Sequence, residues 1–425
     1  MQTGQPASGR GRPLRILELT DLYFPAIGGL ERHVATLSAE LQRLGHTVTV
    51  VTLRPGALPA EEIVDGVRVV RIRSLSQRLT GLYADDQHPF HPPAPDPGAV
   101  AALRRVIRRE RPDVVQSHNW LQYSFFPLYH PSKGPAHIVT LHDYGLACPR
   151  KTLQPAAHAG QCAGPALGRC LACAPRQYGA AKGVAIAGLH RGTRFLHRRA
   201  DRYLAFGPVA RQSAPVLPAG RQIVVLPSMI PDGVRELAAA TPRPGFLPAD
   251  DGYVMFMGAL GPHKGVDVLL EAHRRMRTRV PLVLLGTPRA DTPPLGQPGV
   301  VTAVNVPYPQ AMAALSHSSV VVVPSTWDEP MGQVAAEAML VGRPVIASDI
   351  GGLRELVEPG VTGLRVPPAD PGALAMAIDS LLDDQGRAER MGRAGRRRAF
   401  RFAASVVTPR VLEVFQSALR DRAGI

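Results

Sequence analysis

The feature that most constrains this chain is a rhythm. Short β-rich runs alternate with helical patterns, the alternation breaks once, and it then restarts. Runs at 15–19, 48–53, 67–71, 114–117, 138–141, 203–206 and 223–226 read as strands. Between the first two, residues 31–44 set Val34, Leu37, Leu41 and Leu44 at helical spacing, with Gly45 as a stop. Such a βαβ pattern predicts a parallel sheet covered by helices. The break falls at 231–251, where Pro242, Pro244, Gly245 and Pro248 cluster and an interdomain linker is expected. Beyond it, strands at 253–257, 282–285, 320–324 and 344–348 interleave with helices at 266–277, 309–315 and 332–341. At 425 residues the chain is long enough for two cores, and the pattern predicts two doubly wound α/β domains.

The same patterning excludes several classes. Apolar runs such as 283–285 and 320–323 are strand-sized, far short of the ~20 residues a membrane span needs. Residues 1–13 are polar and Gly-rich with no apolar h-region, so they read as a disordered tail and not as an export signal. A cytoplasmic location follows as an expectation, and disulfides are then uncommon. Lys plus Arg is 49 against 34 for Asp plus Glu, a net charge of +15, yet only four lysines occur: Lys133, Lys151, Lys182 and Lys264. An arginine excess of this kind favours anionic partners, although a compositional bias toward Arg, Ala, Pro and Gly explains it equally well. Segments 99–111 and 191–202 are basic enough to meet an anionic membrane surface, with a solvated helix face as the competing reading. Nucleic acid is not expected as a partner, because interleaved aromatics, an RNP-type sequence and finger spacing are all missing.

Three segments carry chemistry. Gly28 and Gly29 sit at a strand-to-helix turn, where a glycine pair lets backbone N–H groups approach a ligand. The stretch 323–337 runs from a buried strand through a loop bearing Glu329 to a helix opening at Gly332, with Glu337 eight positions after Glu329. Amides of Met331, Gly332 and Gln333 would point over the helix start, and two carboxylates beside them suit vicinal hydroxyls. The cysteines lie in one window, Cys148-x13-Cys162-x7-Cys170-x2-Cys173. This predicts a tetrahedral thiolate site with structural zinc ahead of an iron–sulfur cluster, buried or redox thiols being the alternative. A long loop at 77–97, rich in His, Pro, Asp and aromatics, reads as a carrier of substrate contacts or as a surface excursion.

The spacing of Glu329 and Glu337 within PSTWDEPMGQVAAEAMLVGRPVIASDIGG, with GGLERHV near the start and PGVTGLRVPP at 359–368, closely resembles the family 4 retaining glycosyltransferases. The resemblance spans nearly the whole chain and implies the GT-B fold, two Rossmann-like domains facing a central cleft. An acceptor-binding domain would occupy 14–235 with a Cys-rich insertion at 144–176. A nucleotide-sugar domain would occupy 250–400, and a helix at 401–425 would cross back to the first domain. By that resemblance Glu337 would hold the nucleotide ribose, while Glu329 and the amides of Met331 to Gln333 would grip the donor sugar. Gly28 and Gly29 would lie near the diphosphate or the acceptor.

The resemblance also implies that His142, just after the strand at 138–141, meets the sugar near the reacting carbon, making His142 and Glu329 the catalytic pair. Lys264 would neutralise the leaving pyrophosphate. Where the family's phosphate element reads G-R-L-x-x-x-K-G, this chain has Gly258-Ala259-Leu260-Gly261-Pro262-His263-Lys264-Gly265, so the arginine is missing. The implied reaction is hexose transfer from a nucleotide diphosphate sugar to a hydroxyl of a saccharide or lipid-linked acceptor. It proceeds with retention and without a catalytic metal, in cell-surface polysaccharide or glycoconjugate synthesis, cytoplasmic or peripheral on the inner membrane face. The rival readings are a non-catalytic GT-B protein that binds a nucleotide sugar or a partner and, more remotely, a zinc-bearing nucleic-acid-binding protein.

Overall fold

The computed structural model describes residues 12–26, 28–78, 91–155, 162–249 and 252–424. Most of the expected tail, and residues 79–90 of the loop expected at 77–97, lie outside the described residues.

Two sheets divide the chain. The first holds β1 (Arg15–Thr20), β2 (Thr47–Leu53), β3 (Glu61–Val64), β4 (Val67–Ile72), β5 (Val114–Ser117), β6 (Ala136–Leu141), β7 (Arg202–Ala205) and β8 (Ile223–Val225). Its order is β3-β4-β2-β1-β5-β6-β7-β8. Every pairing is parallel except β3 with β4. That one antiparallel hairpin turns on Asp65 and Gly66, both at positive φ, as a two-residue primed turn demands. The second sheet holds β9 (Val254–Met257), β10 (Leu282–Leu285), β11 (Val300–Ala303), β12 (Val320–Val323), β13 (Val345–Ser348) and β14 (Gly363–Val366). It is wholly parallel, in the order β11-β10-β9-β12-β13-β14.

Parallel strands covered on both faces carry unbroken apolar runs. The central strands of the second sheet, VMFM, LVLL and VVVV, obey this, and their aliphatic residues are buried. Helix Gly29–Arg43 buries Val34, Leu37 and Leu41 at helical spacing. Helix Pro97–Glu110 is capped by the Asp96 side chain and buries Ala99, Ala102, Leu103 and Val106. Its apolar face is thus part of the core, while arginines such as Arg104, Arg105 and Arg108 are exposed.

The boundary between the halves differs from the one expected at 235. Helix Val234–Ala240 buries Val234 and Ala238 in the same cluster as Ala311 and Leu315 of helix Tyr308–His317. It therefore belongs with the second sheet, because its few apolar side chains find cover there. The last helix, Ala404–Ala423, lies on the first sheet: Val407, Val411, Val414, Phe415 and Ala418 are buried with Leu37, Leu41, Val114 and Ile138. Among the described residues no helix is long and apolar enough to cross a membrane.

Candidate active site

In doubly wound sheets ligands bind beyond the carboxyl ends of strands where the order reverses. The reversal lies between β1 and β5 in the first sheet and between β9 and β12 in the second. Asp21, His118 and His142 follow β1, β5 and β6, whereas the loop 258–265 follows β9 and the loop 324–332 follows β12. The two sets meet. Tyr144 donates to Asp328 at 3.0 Å, Gln333 donates to the Ser228 hydroxyl at 3.3 Å, and Arg32 pairs with Glu337 at 3.3 Å.

Glu329 is buried at the end of the β12 loop. Lys264 Nζ donates to both of its oxygens, at 2.9 and 2.7 Å, while Ser325 Oγ and Trp327 Nε1 donate to Oε2 at 3.0 and 2.9 Å. Burial alone would push this carboxyl up, but the Lys264 charge and the three donors outweigh it and hold the acid below its ordinary value. Both residues were expected at the donor; their pairing with each other was not visible in the sequence. His263, beside Lys264, is lowered to about 4 by burial and by the Lys264 and Arg289 charges, so it is neutral near pH 7.

Glu337 lies inside helix Gln333–Leu340 and is also buried. Tyr308 Oη donates to its Oε1 at 3.0 Å. The Arg32 guanidinium, from the helix of the opposite domain, reaches the same oxygen while stacking 3.8 Å from the Tyr308 ring centroid. Burial raises the Glu337 carboxyl against the opposing pull of Arg32 and Tyr308. The helix begins one residue later than expected. Gly332 caps it at φ +86, and a Cβ there would run into Leu353. Among the described residues the amides of Met331, Gly332 and Gln333 donate to no other group. Gly28 is the cap of helix Gly29–Arg43, where a Cβ would meet only Glu31 of the same helix, whereas a Cβ on Gly29 would collide with the Gln333 amide oxygen, so Gly29 lets the two domains approach each other.

His142 does not stand alone. Its Nε2 lies 2.9 Å from His118 Nδ1, and His118 Nε2 lies 2.6 Å from Glu18 Oε2. The His33 ring meets His142 edge-on at 4.6 Å, and His33 Nδ1 is 3.0 Å from Ser228 Oγ. Burial lowers His33 and His118 to about 3, and His142 well below the usual imidazole value. Among the described residues, His33, His118 and His142 are the one group of three or more metal-ligating side chains whose ligand atoms lie within 4.8 Å of one another. Sequence reasoning missed Glu18, Arg32, His33, His118, Ser228 and Tyr308. The usable signal was position, since His118, like His142, directly follows a strand next to the sheet's reversal.

The four cysteines expected to form a thiolate site are not drawn together in this structure. None of Cys148, Cys162, Cys170 and Cys173 is in a disulfide, and among the described residues no three sulfurs come within 4.8 Å of one another, although Cys162 is near enough to Cys148 and Cys170 to raise both thiols. Cys170 and Cys173 ride on helix Leu167–Cys173. Cys148 is buried in a separate turn, its thiol raised by burial, and Cys162 donates to the Gly164 carbonyl. That segment nonetheless reaches the cleft through Tyr144, whose ring packs edge-on to Trp327.

Comparison with known proteins agrees with this geometry. The family model described as Glycosyltransferase Family 4 matches residues 27–230, and that described as Glycosyl transferases group 1 matches residues 240–398. The D-inositol 3-phosphate glycosyltransferase of Kineococcus radiotolerans is 30% identical over 433 residues, covering 93% of this chain and 92% of that one. Glycogen synthase of Mycobacterium tuberculosis is 29% identical over 408 residues, covering 91% and 90%. Among solved structures, sucrose-phosphate synthase from Thermosynechococcus elongatus superposes with a TM-score of 0.69 at 21% identity, covering 95% of this chain and 98% of that one. Anabaena HepE in complex with UDP and glucose gives 0.66 at 18%, covering 95% and 100%. With both halves matched and a relative aligned along almost its full length, the chain belongs to the family 4 glycosyltransferases and has their GT-B fold.

Proposed function

We propose that this glycosyltransferase moves a hexose from a nucleoside diphosphate sugar to a hydroxyl of a saccharide or lipid-linked acceptor, with retention of the anomeric configuration, in building a cell-surface polysaccharide or glycoconjugate. The observation that supports this most is that the segments carrying Glu329, Lys264 and Glu337 meet those carrying the His142 cluster at the reversal points of both sheets, Arg32 pairing with Glu337 and Gln333 bonding the Ser228 that also bonds His33. In this reading Glu337 accepts ribose hydroxyls, and Glu329 with the amides of Met331, Gly332 and Gln333 holds the sugar. Lys264 Nζ has three donors, two of them committed to Glu329, which leaves one for a diphosphate oxygen. Arg289, from the loop after β10, packs against Gly261 while paired with Asp291, and in this reading it supplies the cation that Ala259 does not. His142 stands at the sugar's reacting carbon. As the bond to the leaving phosphate breaks, the acceptor oxygen attacks from the same face and its proton passes to a phosphate oxygen. Positioning and charge stabilisation then carry the rate.

The test is a screen of UDP-, GDP- and ADP-sugars by thermal shift and nucleotide release, with Glu337→Ala alongside. One donor should stabilise the parent and release its nucleotide while the variant responds to none. Absence of both signals with every donor would overturn the reading. In the same proposal the enzyme sits peripherally on an anionic membrane through the exposed arginines of helix Pro97–Glu110. Flotation with anionic but not neutral vesicles is expected, and failure to float with either removes the membrane role.

A further inference from the structure

The contacts Glu18–His118 and His118–His142 each require one hydrogen, and short of a Glu18 carboxylate facing a His118 imidazolium, two arrangements supply both. In the first, Glu18 is a carboxylate, His118 donates to it through Nε2, and His142 donates through Nε2 to the bare Nδ1 of His118. His142 Nδ1 then carries no hydrogen. In the second, Glu18 is a carboxylic acid donating to His118 Nε2, His118 donates through Nδ1 to His142 Nε2, and the His142 hydrogen sits on Nδ1.

The surroundings choose between them. Glu18 points from the middle of β1 into a fully buried position, and its Oε1 has no partner among the described residues. A buried carboxylate with an orphan oxygen and no cation at hand costs several kcal/mol, whereas the carbonyl oxygen of a neutral acid costs far less. Burial moves Glu18 up and His118 down, so neither direction of charge separation is favoured. His142 is half-buried, and among the described residues its Nδ1 meets no protein partner. The His33 and Phe206 rings flank it at 4.6 and 5.5 Å.

We propose that Glu18 and His118 form an uncharged relay that fixes His142 in the tautomer bearing its hydrogen on Nδ1, so that His142 meets the donor as a hydrogen-bond donor. Glu18 and His118 are positioning residues, and their role rests on the placement of His142 at the reacting carbon.

The experiment reads the tautomer directly, by two-bond ¹H–¹⁵N correlation on the histidine-labelled full chain, with His142→Gln used for assignment. In the parent, His142 should show a protonated Nδ1 and a bare Nε2. Glu18→Gln should preserve this, because its amide still donates to His118 Nε2. Glu18→Leu should give averaged His142 shifts while melting no lower than the parent, since it removes an orphan buried oxygen. Once a donor is identified, Glu18→Leu should lower kcat about tenfold at unchanged KM and Glu18→Gln should restore it.

A parent His142 protonated on Nε2, or His142 shifts unmoved in Glu18→Leu, would overturn the relay. So would near-stoichiometric zinc in the purified protein whose chelation shifts the three histidines, because the cluster would then be a metal site. The tautomer is measured without turnover. If it is as expected while no donor is used, the relay stands and the transferase reading falls.

Discussion

At the scale of single residues, the pairing of Lys264 with Glu329 makes a sharp prediction. The parent carboxyl is held below its ordinary value, so its contribution to stability is complete above the unfolded pKa of about 4.5 and is lost as pH falls through the folded value. Lys264→Met leaves Glu329 buried with only Ser325 and Trp327 as donors. Removing one partner of a buried pair costs about 3–5 kcal/mol, and with burial then opposed only by the Ser325 and Trp327 donors the carboxyl moves up from its parent value. The variant should unfold at markedly lower urea concentration at pH 7, and its deficit should shrink toward pH 5 as Glu329 takes up a proton. Lys264→Met combined with Glu329→Gln should recover most of the loss. A deficit that stays constant with pH would show that Glu329 is not carrying the cost. Glu329, Glu337 and Lys264 were legible because they stand in one compact motif or at a motif position. Arg32 and Glu18 were not: the first matters only through a partner 305 positions away and the second through one 100 positions away, and no local pattern encodes such distances.

Among the elements, the strands of both sheet centres were legible, since a parallel strand covered on two faces must be apolar throughout. The edges were not. β3 reads EEIV with alternating exposure and β11 and β14 are short and only partly buried, so they lack the continuous apolar signal that betrays a central strand. The last helix supplies a prediction of its own. Phe415 is fully buried where Ala404–Ala423 covers the first sheet. Phe415→Ala should cost about 3–5 kcal/mol, the range for emptying an aromatic from a core. Because the helix follows the second domain in sequence but packs on the first, limited proteolysis of the variant should release the C-terminal segment first. A variant as resistant as the parent would mean that the helix contributes little to that core. At the loop before helix Gln333–Leu340, Gly332→Ala forces a side chain into left-handed backbone and against Leu353. Strain of about 1–2 kcal/mol is expected from the backbone alone, with weaker nucleotide-sugar stabilisation in thermal shift. Equal donor response in parent and variant would detach the turn from binding.

Over the whole molecule, the charge excess read from composition is spread over exposed arginines, while the interior is organised around neutral imidazoles. His33, His118 and His197 are lowered to about 3, and His137, His190 and His263 to about 4, in each case chiefly by burial. An unfolded chain protonates these six near pH 6.5, whereas the folded chain does not, so folding is opposed increasingly as pH falls through that window. Three buried acids act the other way: Glu18, Asp143 and Glu337 are raised by burial, and the folded state then holds protons that the unfolded chain has released. His46, His91 and His142 are lowered in the same direction, so the lowered histidines outnumber the raised acids and stability is lost as pH falls through the window in which the unfolded imidazoles take up protons. Urea midpoints measured at pH 7, 6 and 5 should therefore fall steeply below pH 6.5, well before ordinary carboxylates titrate. His197→Phe, which replaces a buried ring packed among Tyr123 and Phe126, should shallow that slope by about one proton. Midpoints constant from pH 7 to 5 would mean that the buried histidines are already charged or already open to water, and the uncharged cluster around His142 would lose its physical basis along with them.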